Sequence, residues 1–227
     1  MSQYLDLLKT KIDLKFRDFS KKLIPDTKTE ILGIRTPDIK KFAKEFYINS
    51  PEKVISFFNE KHCFFEEFLL HGFLLSNIKD IDQLLLHLNL FIPTIDNWAV
   101  CDQTVSALKL LKKHPQKTYS HLKVWLKSDK PYVVRFGIVV LLNYFLDNNF
   151  NDEIYTDLNS IKSSHYYVNM AIAWFYSIAL IKQYSSAINI IQSKTLPTFV
   201  QNKAIQKACE SFRITEEIKH QIKNYKL

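Results

Sequence analysis

Glycine is scarce in this chain: three residues in 227, at Gly33, Gly72 and Gly137. Tight hairpin turns need positive φ, which glycine supplies most readily, so a β-rich fold is disfavoured. Neither a GxGxxG nor a GKS/T loop occurs, which removes both common phosphate cradles. Cysteine is equally sparse. Cys63, Cys101 and Cys209 are odd in number and far apart, as in a reduced protein without a disulfide frame. The histidines form no HExxH, and His62-Cys63 lacks partners at zinc-ligand spacing, so no metal site is expected. No GxSxG elbow is present, and Cys101 reads as a core residue of a helical run. No apolar run approaches the roughly 20 residues of a spanning helix, so no membrane partner is expected. The opening MSQYLDLLKTKIDLKF carries charge throughout and has no apolar leader core, which points to a cytoplasmic protein.

The composition that remains is 47% hydrophobic and 14% aromatic, enough for a sizeable core. A chain of 227 residues is expected to form a single domain over 1–227. Its formal charge is +8, which favours polyanionic partners. The excess is uneven. Residues 1–60 hold 12 basic and 9 acidic side chains, 61–113 hold 5 and 6, and 114–227 hold 14 and 8.

The apolar periodicity is helical. TPDIKKFAKEF reads as a helix start with Thr36 as N-cap, Pro37 at the first position and Asp38 in the first turn. Similar punctuation recurs at Ser50-Pro51, His114-Pro115, Lys130-Pro131 and Leu196-Pro197. The pattern predicts helix pairs at 51–60 with 64–78, 80–92 with 95–112, and 115–127 with 131–147. Two further pairs follow at 151–161 with 164–182 and 184–193 with 197–212, and 215–226 closes the chain. Second helices therefore recur every 31 to 36 residues, the mark of an all-α, α-α superhelix or helical-repeat solenoid. An irregular helical bundle is the alternative fold.

Within IDNWAVCDQTV, Trp98 and Asp102 stand four residues apart and so share a helix face. A carboxylate beside an aromatic on a core-facing stripe needs solvent or a partner. The plain structural reading makes Asp96 the N-cap, Trp98 core and Asp102 a surface charge. Arg135 is the sole charge in the apolar run from Pro131 to Leu146, and Trp174 lies within YYVNMAIAWFYSIALI. These residues fall on three successive second helices, which in a solenoid line one concave surface. Trp125, on a first helix, reads as structural.

LGIRTPDIKKFAKEF, DNWAVCD, the arginine of VVRFGIVVLLNYF, the tryptophan of YYVNMAIAWFYSIALIK, and QNKAIQKACESFRI come in an order that resembles one known series. It is that of the DNA alkylation-repair glycosylases built from HEAT-like repeats, the AlkD-like family. The resemblance runs from about residue 20 to residue 215. It implies a concave basic groove for duplex DNA and excision of cationic N3- or N7-alkylated purines by a monofunctional, monomeric enzyme without metal or organic cofactor. It implies further that Trp98 and Trp174 pack on the lesion's deoxyribose, that Asp102 is the catalytic carboxylate, and that Arg135 lies beside the backbone. Thr36, Lys40, Lys203 and Lys207 are the further candidates for phosphate contact. The chain departs from the family in having Asn97-Trp98 where active members often carry paired tryptophans, and in lacking an aromatic near Leu23 and Ile24. A catalytically silent helical-repeat module binding DNA or protein is the alternative function. Such a module has no use for a carboxylate, which repels phosphate.

Overall fold

The computed structural model describes residues 4–227. Among them helices alternate with short links, and the only extended pairing is two isolated bridges, Ile12 with Ile34 and Glu30 with Phe64. The fold is all-α. It divides into two compact units, an N-terminal one ending at Lys113 and a C-terminal one, His114–Leu227.

The N-terminal unit contains α1 (Leu14–Leu23), α2 (Thr36–Asn49), α3 (Pro51–Phe58), α4 (Phe65–Leu75), α5 (Ile81–Phe91), α6 (Trp98–Ala107) and the short α7 (Leu110–Lys113). Helices α2, α4 and α6 pack side by side, with α3 laid across α2 and α4, and α5 against α4. Covered on so many sides, α4 is buried nearly throughout, which is why FFEEFLLHGFLL is apolar almost all round. Each fully buried Leu or Phe there contributes about 1.5–3 kcal/mol. The α4–α6 approach is close: a Cβ on Gly72 would overlap the side chain of Thr104.

The C-terminal unit repeats the plan with α8 (Pro115–Trp125), α9 (Pro131–Tyr144), α10 (Glu153–Ser160), α11 (Tyr166–Lys182), α12 (Tyr184–Ser193), α13 (Thr198–Cys209) and α14 (Glu216–Lys223). Here α9, α11 and α13 form the inner row, with α8, α12 and α14 each on its own partner. Tyr155 of α10 stacks on Tyr176 of α11 at 5.7 Å between centroids. Trp125 is buried edge-on to Phe136, the structural role expected of it. No helix among the described residues is long and apolar enough to cross a membrane.

The expected helix pairs are all found, with three local corrections. The helix expected over 95–112 stops at Ala107, because Leu108 leaves the helical region (ψ 54°) before α7 begins. Thr36 is not an N-cap: Arg35 holds the extended cap position, Thr36 is the first helical residue and Pro37 the second. The last Pro signal is also shifted by one, with Pro197 itself the cap of α13.

Candidate active-site residues

The first turn of α6 is built by three consecutive residues with three separate tasks. Asn97, extended at the cap position, accepts the Val100 N–H on its side chain at 2.9 Å. The cap is therefore Asn97, not Asp96. Asp96 reaches back to the link after α1, accepting from the Thr27 hydroxyl at 3.0 Å and the Lys28 N–H at 2.6 Å. Its Oδ1 also accepts from the Asn97 amide at 2.8 Å. Trp98 opens the helix, and its indole N–H donates to the Leu23 carbonyl at 3.2 Å. That carbonyl belongs to the last turn of α1, where helix carbonyls lack intrahelical partners.

Trp98 is half-buried, and so is Asp102 one turn further on, while Ala99, Val100 and Cys101 between them face the core. The pair thus shares the partly open face of α6, as the spacing predicted. Cys101 is core, as expected.

The link that Trp98 and Asp96 hold is fastened elsewhere too. Phe65 N–H donates to the Glu30 carbonyl at 2.8 Å. The fully buried Glu66 accepts from Leu32, Gly33 and Ile34 N–H at 3.0, 2.7 and 3.2 Å. Burial pushes the Glu66 carboxyl above its usual range, and the bonds from Leu32 and Gly33 pull it back. Gly33 turns at φ 97°, and a Cβ there would strike the Asp13 carbonyl and Arg17. Glu67, also buried, accepts from Cys63 and Phe64 N–H at the start of α4.

In the C-terminal unit Arg135 is buried, and its Nη1 donates to the Tyr167 carbonyl at 2.6 Å. The guanidinium also lies 5.9 Å from the Tyr167 ring centroid. It therefore joins α9 to the first turn of α11. Trp174 is half-buried in the middle of α11. It lies seven residues beyond Tyr167, about 10 Å along the helix axis, so the two candidates of this unit sit at different levels.

Among the candidates for phosphate contact, Thr36 is half-buried on α2, and the exposed Lys40 places its ammonium 5.1 Å from the Phe73 ring centroid. Lys203 and Lys207 are half-buried one turn apart on α13, where Lys203 donates to Gln206 Oε1 at 2.8 Å.

A second polar cluster gathers around His71 of α4. A cavity of about 320 Å³ is lined by Phe58, His62, Phe68, His71, His87 and Phe91 among others. His71 is sandwiched between Phe58 and Phe91, 4.6 and 4.1 Å from their centroids, and bonded to His62 at 2.7 Å. Burial lowers all three imidazoles below their ordinary range, His71 the most. Among the described residues no group of three or more His, Cys, Asp or Glu is arranged to hold a metal ion.

Two units of paired helices, one opening an inner helix with a tryptophan and a carboxylate on its open face, define a helical-repeat protein with a candidate reaction site. The chain belongs to the DNA alkylation repair enzyme family, whose profile matches residues 6–208. A role in alkylation repair, as an enzyme acting on DNA, follows from that membership. Comparison with curated proteins finds no match.

Proposed function

We propose that the protein is a monofunctional DNA glycosylase that removes N3- or N7-alkylated purines from duplex DNA. The observation that carries the reading is the half-open Trp98 with Asp102 one turn along the same face of α6. Alkylation makes the base cationic, so it leaves with the electron pair of the glycosidic bond and becomes neutral without a proton from the protein. Positive charge then develops on the sugar ring. A nearby carboxylate stabilises it, and the same carboxylate takes the proton released as water adds to the anomeric carbon. The face of Trp98 offers the sugar cation a π surface. Arg135 acts beside the backbone, and Thr36, Lys40, Lys203 and Lys207 supply phosphate contacts.

The test is a duplex carrying one N7-methylguanine, assayed for abasic sites. The expected result is excision well above spontaneous depurination. Asp102→Asn should lower the rate by on the order of 10²–10⁴ while leaving duplex affinity intact. Affinity itself should fall with salt, by about 0.9 log units per log unit of salt for each neutralised phosphate. A folded parent protein producing no abasic sites above background overturns the reading. A folded Asp102→Asn variant working at the parent rate removes the carboxylate from the mechanism.

A further inference from the structure

We infer that Asp96 is a positioning residue for Trp98, acting through the link between α1 and α2. The inference rests on the role of Trp98 proposed above, but its geometry stands apart from that reading. The Trp98 indole N–H is aimed by one acceptor, the Leu23 carbonyl at 3.2 Å. Leu23 ends α1, and the residues after it have no helix of their own to hold them in place. Backbone bonds from Ile24 N–H to the Ser20 carbonyl and from Thr27 N–H to the Ile24 carbonyl hold the turn itself. The first side chain to fasten it to α6 is Asp96, which grips Thr27 and Lys28 with both carboxylate oxygens. Asp96 is two residues before Trp98, so the carboxylate and the indole bind the same link at points four to five residues apart. Together they close a small ring: α6 start, Asp96, Thr27, link, Leu23, Trp98.

Closing that ring fixes the indole's edge and therefore the plane of its faces. A tryptophan rotating freely about its side-chain bonds would present its face to a sugar only part of the time. One whose N–H is tied to a fixed carbonyl presents it throughout, and small displacements of catalytic groups cost large factors in rate. The Thr27 hydroxyl takes part as well, contacting Thr29 Oγ1 at 2.8 Å. The sequence gives Asp96 three bonding partners, and cap duty is left to Asn97. That division separates holding the helix from aiming the ring.

The experiment compares Asp96→Ala, Asp96→Asn and Thr27→Val with the parent by ¹⁵N-edited NMR of the indole N–H groups. Trp98→Phe assigns the resonance; buried Trp125 is the control for folding of the C-terminal unit, and the backbone amide signals of buried α4 are the control for the N-terminal unit. In Asp96→Ala the Trp98 indole N–H should move toward the solvent-exposed shift and exchange about tenfold faster or more, with Trp125 unchanged. Asp96→Asn keeps one carbonyl oxygen for the Lys28 N–H and should restore most of the protection. Excision by Asp96→Ala should drop about tenfold or more with duplex affinity near the parent value. A Trp98 resonance unchanged in shift and exchange, in a variant whose Trp125 signal is intact, overturns the inference. Should Asp96→Ala lose the α4 amide signals or the Trp125 signal as well, Thr27→Val decides: it must expose Trp98 with both controls retained, or the inference fails. If the parent excises nothing, the glycosylase reading falls, while the resonance still decides whether Asp96 aims the indole.

Discussion

The two units answer their unpaired backbone groups with different emphasis, although carboxamides serve in both. Wherever a helix starts or a link crosses, backbone groups are left without helical partners. In the N-terminal unit carboxylates answer: Asp13 accepts from Phe16 N–H, Asp80 from Gln83, Asp96 from Lys28, Glu66 from three amides and Glu67 from two. In the C-terminal unit carboxamides donate to carbonyls: Gln183 to Leu146, Asn149 to Tyr144, Asn169 to Ser163, and Gln201 to both Ile191 and Tyr225. Charged acceptors form stronger bonds than neutral donors, and they titrate. The N-terminal unit is thus the firmer laced and the more exposed to pH.

The largest expected break in that comparison is Glu66→Ala. It strips the acceptor from three amides, two of them buried, and each orphaned buried group costs about 1–3 kcal/mol. A loss of about 3 kcal/mol or more is expected by denaturant unfolding, with amide exchange at residues 31–35 accelerating first. Glu66→Gln, which keeps one oxygen, should lose less. An Ala variant within about 0.5 kcal/mol of the parent would mean the lacing is idle.

Acid should separate the units next. His62, His71 and His87 all belong to the N-terminal unit, and the fold holds them below the ordinary 6.5. Below that pH the unfolded chain binds protons that the folded one refuses, so stability falls as pH drops from 6.5 toward the folded values. The ceiling is about 1.4 kcal/mol per pH unit for each such group. Glu66 works the other way: its raised value makes the fold bind the proton first, so stability rises as pH falls toward the usual carboxylate range. The three histidines and Glu66 therefore pull in opposite directions, and the three should outweigh the one. With the intrinsic pH dependence of amide exchange divided out, protection around 58–91 should fall between pH 7.5 and 5.5 more than protection in α9 and α11, and His71→Leu should flatten the dependence. Equal loss of protection in both units would show that these imidazoles do not set it.

The smallest effect is expected of Gln201→Leu. Its amide leaves two carbonyls behind, yet its own Oε1 is buried without a partner, so removing that oxygen relieves a cost. A net change of about 1 kcal/mol or less in thermal or denaturant unfolding is expected. A loss matching that of Glu66→Ala would show that charge is not what distinguishes the two kinds of lacing.

Helix pairing was legible because its signals are local: Pro at first-turn positions and apolar residues at helical spacing. Cap identity was less so. Asp96 has a neighbour, Asn97, able to take the cap, and is itself held by Thr27, while Thr36 falls one residue inside its helix behind Arg35, which makes no cap bond and pairs with Asp13. Trp98 and Asp102 could be paired on one face from spacing alone. That the indole N–H would find the carbonyl of Leu23, 75 residues back, could not. The buried glutamates are a signal that went unread. Arg135 stood out as a lone charge in an apolar run, and Glu66-Glu67 within FFEEFLLHGFLL carry the same mark.

The fastenings of the link after α1 also make it a spacer of set length. Anchors fall at Leu23, at Thr27 and Lys28, at Glu30, and at Leu32 through Ile34. No stretch between them exceeds three residues, so an insertion or deletion at almost any point must detach one of them. The segment has the look of an ordinary surface loop, the kind that homologous chains lengthen and shorten freely. Here it should tolerate substitution at its outward side chains and resist any change in count.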